Sequence, residues 1–231
     1  MTKVMNNLSN KYVEFVKIKN KWSEIYNDCC DDNCINTNKP TGNCNKGNGF
    51  GNLINDENIK YINCLEGNEG YDNFVDVYAE NSFKNPQRCL NYSLYYFEVK
   101  CIFERNEGEV KMYIGLVNFN KNKGIRYSAN IAIILNEKDE AFETPTPFNN
   151  NDIFGCGLVY PPTNMTNKFP YVFFTQNGNQ IGKGILKDNF NSYKPYVDLY
   201  RCSIEANFGN NLESKPFNYD ISKHSVLKKF Y

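Results

Sequence analysis

What the chain has little of narrows its chemistry first. It holds one histidine and one tryptophan in 231 residues. A lone imidazole leaves His224 without a serine or cysteine motif beside it, and its place next to the C-terminal Lys-Lys-Phe-Tyr run points to an exposed residue. No stretch reaches the roughly 20 apolar residues that a membrane-crossing helix needs. The first eight residues contain no apolar core of signal-peptide length. Net charge is also missing, because 26 Lys and Arg balance 26 Asp and Glu. That balance gives no electrostatic reason to expect nucleic acid or an anionic membrane as partner.

What is abundant points to strands. There are 17 Tyr and 17 Phe, and aromatic side chains favour pleated, half-buried surfaces over helices. The 39 asparagines are spread along the whole chain, so they read as surface and turn residues rather than one low-complexity tract. The nine cysteines are an odd number, and Cys101 and Cys156 stand singly within strand-like runs such as Phe97–Phe103. Buried thiols of this kind behave as small hydrophobes and suit a reducing cytosol or nucleus. Three glycosylation sequons, at Asn7, Asn91 and Asn164, point towards secretion instead. With this much asparagine, chance accounts for them.

A length of 231 residues suits one large sandwich or two small domains. Residues 12–18 alternate and read as a strand or a frayed helix, within an N-terminal extension over 1–19. From Asn27 to Asn52 the composition is that of a loop, rich in Cys, Asp, Asn and Gly. Short strand-like runs follow every 8–15 residues: 59–62, 74–78, 93–103, 110–117, 126–135, 153–160, 171–175, 180–186, 196–200, 203–208 and 217–221. This spacing is that of an all-β sandwich or barrel. Asn177-Gly178 between apolar runs signals a two-residue hairpin, whose type I′ turn needs positive φ at both positions.

Several blocks then occur in a fixed order. Val77-Tyr78-Ala79-Glu80-Asn81-Ser82-Phe83 comes first, followed by Tyr95–Val99 and Ile114-Gly115-Leu116. Asp152-Ile153-Phe154-Gly155-Cys156-Gly157 precedes Phe173-Phe174-Thr175-Gln176-Asn177-Gly178, and Glu205–Gly209 closes the series. In this order the blocks resemble a SPRY domain, a two-sheet antiparallel β-sandwich of the concanavalin A-like jelly-roll type. The resemblance covers 74–222. Residues 20–73 supply N-terminal strands of the same sandwich, with Trp22 marking the first and a Cys/Asn/Gly loop inserted, and 223–231 form a tail. Gly155 and Gly157 straddle Cys156, leaving one strand face bare for a bulky aromatic to approach.

Three other patterns bear on chemistry. Cys29, Cys30, Cys34 and Cys44 are the best metal candidates, but only Cys30-x3-Cys34 has knuckle spacing. Cys44 stands apart in sequence, and an ordinary loop of reduced cysteines is the better account, so no metal and no cofactor is expected. Glu137, Asp139 and Glu143 form an E-x-D-x-x-x-E run that resembles the carboxylate strand of jelly-roll glucanases. It runs into Thr144-Pro145-Thr146-Pro147, which reads as loop rather than catalytic strand. Gly47, Gly49 and Gly51 give G-x-G-x-G without the preceding strand or the following Lys-Ser/Thr of a phosphate cradle. No catalytic residue is assigned.

The resemblance implies a non-enzymatic, monomeric adaptor or substrate-recognition module that binds a protein or peptide through loops at one end of the sandwich. Carried onto this chain, it puts Asn81, Tyr127, Asp198, Tyr200 and Arg201 on the binding rim. A glycan-binding lectin or secreted effector of the same architecture is the alternative.

Overall fold

In the computed structural model the described residues are 13–226, except 27–28, 33, 36–41, 68, 106–107, 122, 139, 145, 166 and 189. Period-two patterning makes the strands. Along Val75–Ala79 the residues Val75, Val77 and Ala79 are buried, while Asp76 and Tyr78 turn outward.

The strands form two eight-stranded sheets that face each other across one core. Seven strands of the first sheet lie in the order β14 (Asn179–Ile185), β13 (Tyr171–Gln176), β12 (Ile153–Tyr160), β7 (Tyr92–Phe103), β16 (Cys202–Asn207), β4 (Asn58–Ile62) and β3 (Phe50–Leu53). β1 (Val13–Phe15) adds to β7 in parallel; the other pairings are antiparallel. The second sheet runs β11 (Ala141–Glu143), β10 (Ile133–Leu135), β9 (Lys123–Ser128), β8 (Lys111–Asn118), β15 (Ser192–Tyr200), β5 (Val75–Ala79) and β2 (Trp22–Tyr26). β6 (Phe83–Lys84) pairs with the start of β15. This is the two-sheet antiparallel sandwich expected from the sequence. Val13–Phe15, expected within an extension, is a strand of it.

Trp22 anchors the core edge-on against Phe97 and Phe208, its ring N–H donating to the Glu57 carbonyl at 3.1 Å. The Asn-Gly hairpin forms as expected, with φ of 49° at Asn177 and 80° at Gly178. The aspartate directly before the Gly-Cys-Gly strand holds this turn. Asp152 accepts from the Asn177 amide at 2.8 Å, the Gln176 amide at 2.9 Å and the Asn149 N–H at 2.8 Å.

A second apolar layer covers the outer face of the first sheet. Phe15, Met165, Phe217, Tyr219, Ile221 and Val226 pack over Tyr92, Leu94, Tyr96, Val159, Tyr171 and Phe173. Gly155 and Gly157 make room for it, since a Cβ there would sit 2.0 Å from the Tyr96 hydroxyl and 2.2 Å from the Phe173 ring. Residues 217–221, expected as a strand, are instead irregular chain entering a short 3-10 turn at Ile221–Lys223. Their N–H groups meet a side chain rather than a ladder: buried Glu98 accepts from Asn218 N at 2.8 Å and Tyr219 N at 2.9 Å.

His224, expected exposed in a tail, is buried in this layer and stacks on Phe173 at 4.2 Å. Its ring nitrogens share hydrogen bonds of 2.8 Å with the hydroxyls of Tyr171 and Tyr219. Burial, with nearby Lys183 adding to it, pulls its pKa down to about 4.

Candidate functional site

The five rim residues do not form one surface. Tyr127 lies in the core at 1% exposure, between Phe154 and Phe174, each 5.9 Å away. It sits on β9 opposite Ile114, so alternation turns its ring inward, and its hydroxyl bonds Thr146 at 2.7 Å. Asn81 is exposed, but it lies beyond the end of β5 opposite to Arg201, bonded to Asn20 and the Lys19 carbonyl. The β5–β15 register pairs Val75 with Leu199, so seven residues of chain, on the order of 20 Å, separate Asn81 from that end.

Asp198, Tyr200 and Arg201 do fall together. β15 puts Val197 and Leu199 into the core and Tyr196, Asp198 and Tyr200 on the outer face of the second sheet. Arg201 follows in a left-handed conformation, φ 59°, and its guanidinium turns back to the buried Asp72 carboxylate at 2.6 Å. Asp72 also accepts the Cys64 N–H at 2.7 Å. Arg201 is thus a structural clasp whose outer face covers the Tyr200 ring at 5.0 Å.

Around these residues the outer face of β2, β5, β15 and β8 is an aromatic platform. Tyr78 stacks on Tyr196 at 5.7 Å and meets Tyr26 at 5.6 Å and Phe119 at 4.7 Å. At the other end Phe74 lies 5.0 Å from Tyr200 and 6.4 Å from Tyr113. Tyr26, Phe74 and Phe119 are 56%, 45% and 46% exposed. Cations thread the rings: Lys111 over Phe74 and Tyr200, Arg126 over Tyr113, and Lys194 over Phe119 with Glu24 as its ion-pair partner.

Two carboxylates lie in the middle of the platform, Asp76 and Asp198 being direct cross-strand partners. Burial and then the charge of Asp76 push the Asp198 carboxyl up to about 7, against the pull of Arg126. Burial raises Asp76 as well. One Asp198 oxygen is buried without a hydrogen-bond partner. Buried polar atoms left without a partner are rare in folded proteins. The signal for this face was in the sequence, because Val-Asp-Val-Tyr and Tyr-Val-Asp-Leu-Tyr alternate apolar residues with aromatic and acidic ones.

The two described carboxylates of the E-x-D-x-x-x-E run have different surroundings. Glu137 faces Tyr193, whose hydroxyl donates to it at 2.9 Å, while Glu143 is exposed on edge strand β11; Asp139 lies outside the described residues. The G-x-G-x-G glycines allow close packing, with a Cβ on Gly49 meeting Asp72 at 2.1 Å and one on Gly51 meeting Val75 at 2.6 Å.

The cysteine loop departs furthest from expectation. The Sγ atoms of Cys29, Cys30, Cys34 and Cys44 all lie within 4.8 Å of one another. Cys44, remote in sequence, is carried in by the turn that Gly47 closes with φ 74° and an N–H to the Cys44 carbonyl at 2.9 Å. Spacing along the chain does not register such a turn.

No protein-family model matches the chain, and no curated protein matches it in sequence. Among solved structures it is similar to SPRY domains, the family that its blocks resemble. A human SPRY domain shares 18% identity over 69% of this chain and 96% of its own, with a TM-score of 0.48. The SPRY domain of human HERC1 shares 10% over 70% and 94%, with a TM-score of 0.49. A carbohydrate-binding module, CBM66 from Bacillus subtilis, is similar at 9% identity over 69% and 88%, with a TM-score of 0.41.

Proposed function

We propose that the chain is a non-enzymatic recognition module that binds a protein or peptide, as a monomer and in a reducing compartment, on the aromatic platform of its second sheet. The observation that carries this reading is the contrast between the two outer faces. The chain's own terminal segments cover the first, whereas the second presents Tyr26, Phe74 and Phe119 to solvent beside two carboxylates. Contiguous exposed aromatics of this kind mark interaction surfaces, and rigid tyrosines among charges are the usual anchors of protein interfaces.

Selection of displayed random peptides on the purified protein tests this. The expected result is enrichment of peptides whose binding falls about tenfold or more in Phe74→Ser and in Tyr26→Ser, since loss of an aromatic anchor weakens binding by about 2 kcal/mol. Peptides that bind both variants as well as wild type would place the interface elsewhere. Failure to select peptides, together with binding on a glycan array, would favour the lectin alternative.

A further inference from the structure

Four thiols meet in the loop that leads into β3. Cys29, Cys34 and Cys44 are 1%, 4% and 5% exposed, and with Phe50 they make a cluster of their own, separate from the main core. Among the described residues, the partly buried apolar side chains packed against it are Cys30, Ile35 and Ile62. Apolar contact on this scale is small beside the backbone entropy of ordering the loop, roughly 1–2 kcal/mol for each residue fixed.

Zinc held by four thiolates at about 2.3 Å in a tetrahedron sets its sulfurs roughly 3.8 Å apart. Here Cys29 and Cys30 are 3.7 Å apart, Cys30 and Cys34 are 3.4 Å apart, and the whole set lies within 4.8 Å. The surroundings suit thiolates. The Asn45 N–H points at the Cys34 sulfur from 3.3 Å, and the Asn48 amide holds the Cys29 carbonyl, fixing the two arms of the loop together. Such outer-shell donors orient ligands and steady their charge. Lys46, paired with Asp31 at 3.0 Å, brings a cation to the same turn. Soft sulfur donors without oxygen select zinc over calcium or magnesium.

We propose that Cys29, Cys30, Cys34 and Cys44 bind one Zn2+ ion in a closed, structural tetrathiolate site. Zn2+ and four thiols give a tetrathiolate of net charge −2 and four protons released to solvent, so affinity rises with pH. All four positions are filled by protein, leaving none for substrate. Asn48 carries the effect outward, because its carbonyl oxygen accepts the Tyr71 N–H at 3.0 Å and Gly49 N donates to the Tyr71 carbonyl at 2.9 Å. The metal thereby fixes the stretch from Tyr71 to Phe74 at one end of the platform. The zinc site itself does not depend on what the platform binds.

The test uses the full chain purified under reducing conditions without chelator. Elemental analysis and native mass spectrometry should give one zinc per chain. Exchange with Co2+ should give the intense visible bands of tetrahedral cobalt bound by thiolates. Cys30→Ser and Cys44→Ser should each lose those bands, and Cys89→Ser, outside the cluster, should keep them. Should the two loop variants fail to fold, chelation of wild type decides: hydrogen exchange should rise at 29–50 and 71–74 while the strands of the core stay protected. A metal-free reduced protein that cobalt does not colour would overturn the proposal. So would a mass showing the four cysteines joined as disulfides, or equal loss of cobalt from Cys89→Ser.

Discussion

Asp198 is a carboxyl held away from water beside a second carboxyl, and its protonation is tied to the fold. Its value of about 7 in the folded chain, raised by burial and Asp76, compares with 3.8 for an ordinary aspartate. Between those values the folded state binds more protons than the unfolded one, so this group makes stability fall as pH rises from about 4 to 7. Asp198→Asn should therefore melt higher than wild type at pH 8 and at the same temperature as wild type below pH 4. Thermal melts across that range check it, and a difference that does not vary with pH would contradict the assignment. Arg201 behaves differently, although it neighbours the same platform. Asp72, whose side chain is wholly buried, relies on Arg201 for its counter-charge, so Arg201→Ala should destabilise the fold by about 3 kcal/mol in denaturant titrations. Tyr200 and Arg201 are adjacent in sequence, yet one contributes surface and the other holds the fold together.

Among the elements, the C-terminal segment is the one whose role residue types alone did not show. Phe217, Tyr219 and His224 lie on the first sheet because Gly155 and Gly157 leave hollows that the rings of Tyr96 and Phe173 fill. Glu98 then receives the segment's N–H groups. Gly157→Val would push a branched side chain into Phe173, and it should lower stability by about 1–3 kcal/mol and loosen residues 217–226 to protease before the core unfolds. His224 reports the docking directly, being the only histidine. Burial favours its neutral form, so stability from this contact is complete above pH 6.5 and is lost as pH falls towards 4. Proton NMR should show its imidazole titrating near 4; a midpoint near 6.5 would mean the segment is undocked. The bare face of Gly-Cys-Gly and the Asn-Gly turn were legible because each rests on local backbone or steric rules. The docking of 217–226 was not, since it depends on a partner, Glu98, more than a hundred residues away. The same holds for Cys44, whose approach to Cys29 depends on a glycine turn, and for Tyr127, whose inward direction follows from β9 register rather than from composition.

At the scale of the whole fold, sixteen strands among the described residues make a sandwich with two unlike outer surfaces. Strand spacing and the ordered blocks were enough to specify that sandwich, because each turn and each alternating run is a local signal. Which surface faces a partner depends on what the chain ends cover, and that is a property of the assembled fold. Recognition is proposed to take place on the open outer face of the second sheet. Titrating a selected peptide into isotopically labelled protein and following amide and aromatic NMR shifts tests it most directly. Shifts should concentrate at Tyr26, Phe74, Asp76, Tyr78, Tyr113, Phe119, Asp198 and Tyr200. Shifts gathered instead around Asn81, or over the covered face at Met165, Phe217 and Tyr219, would contradict it.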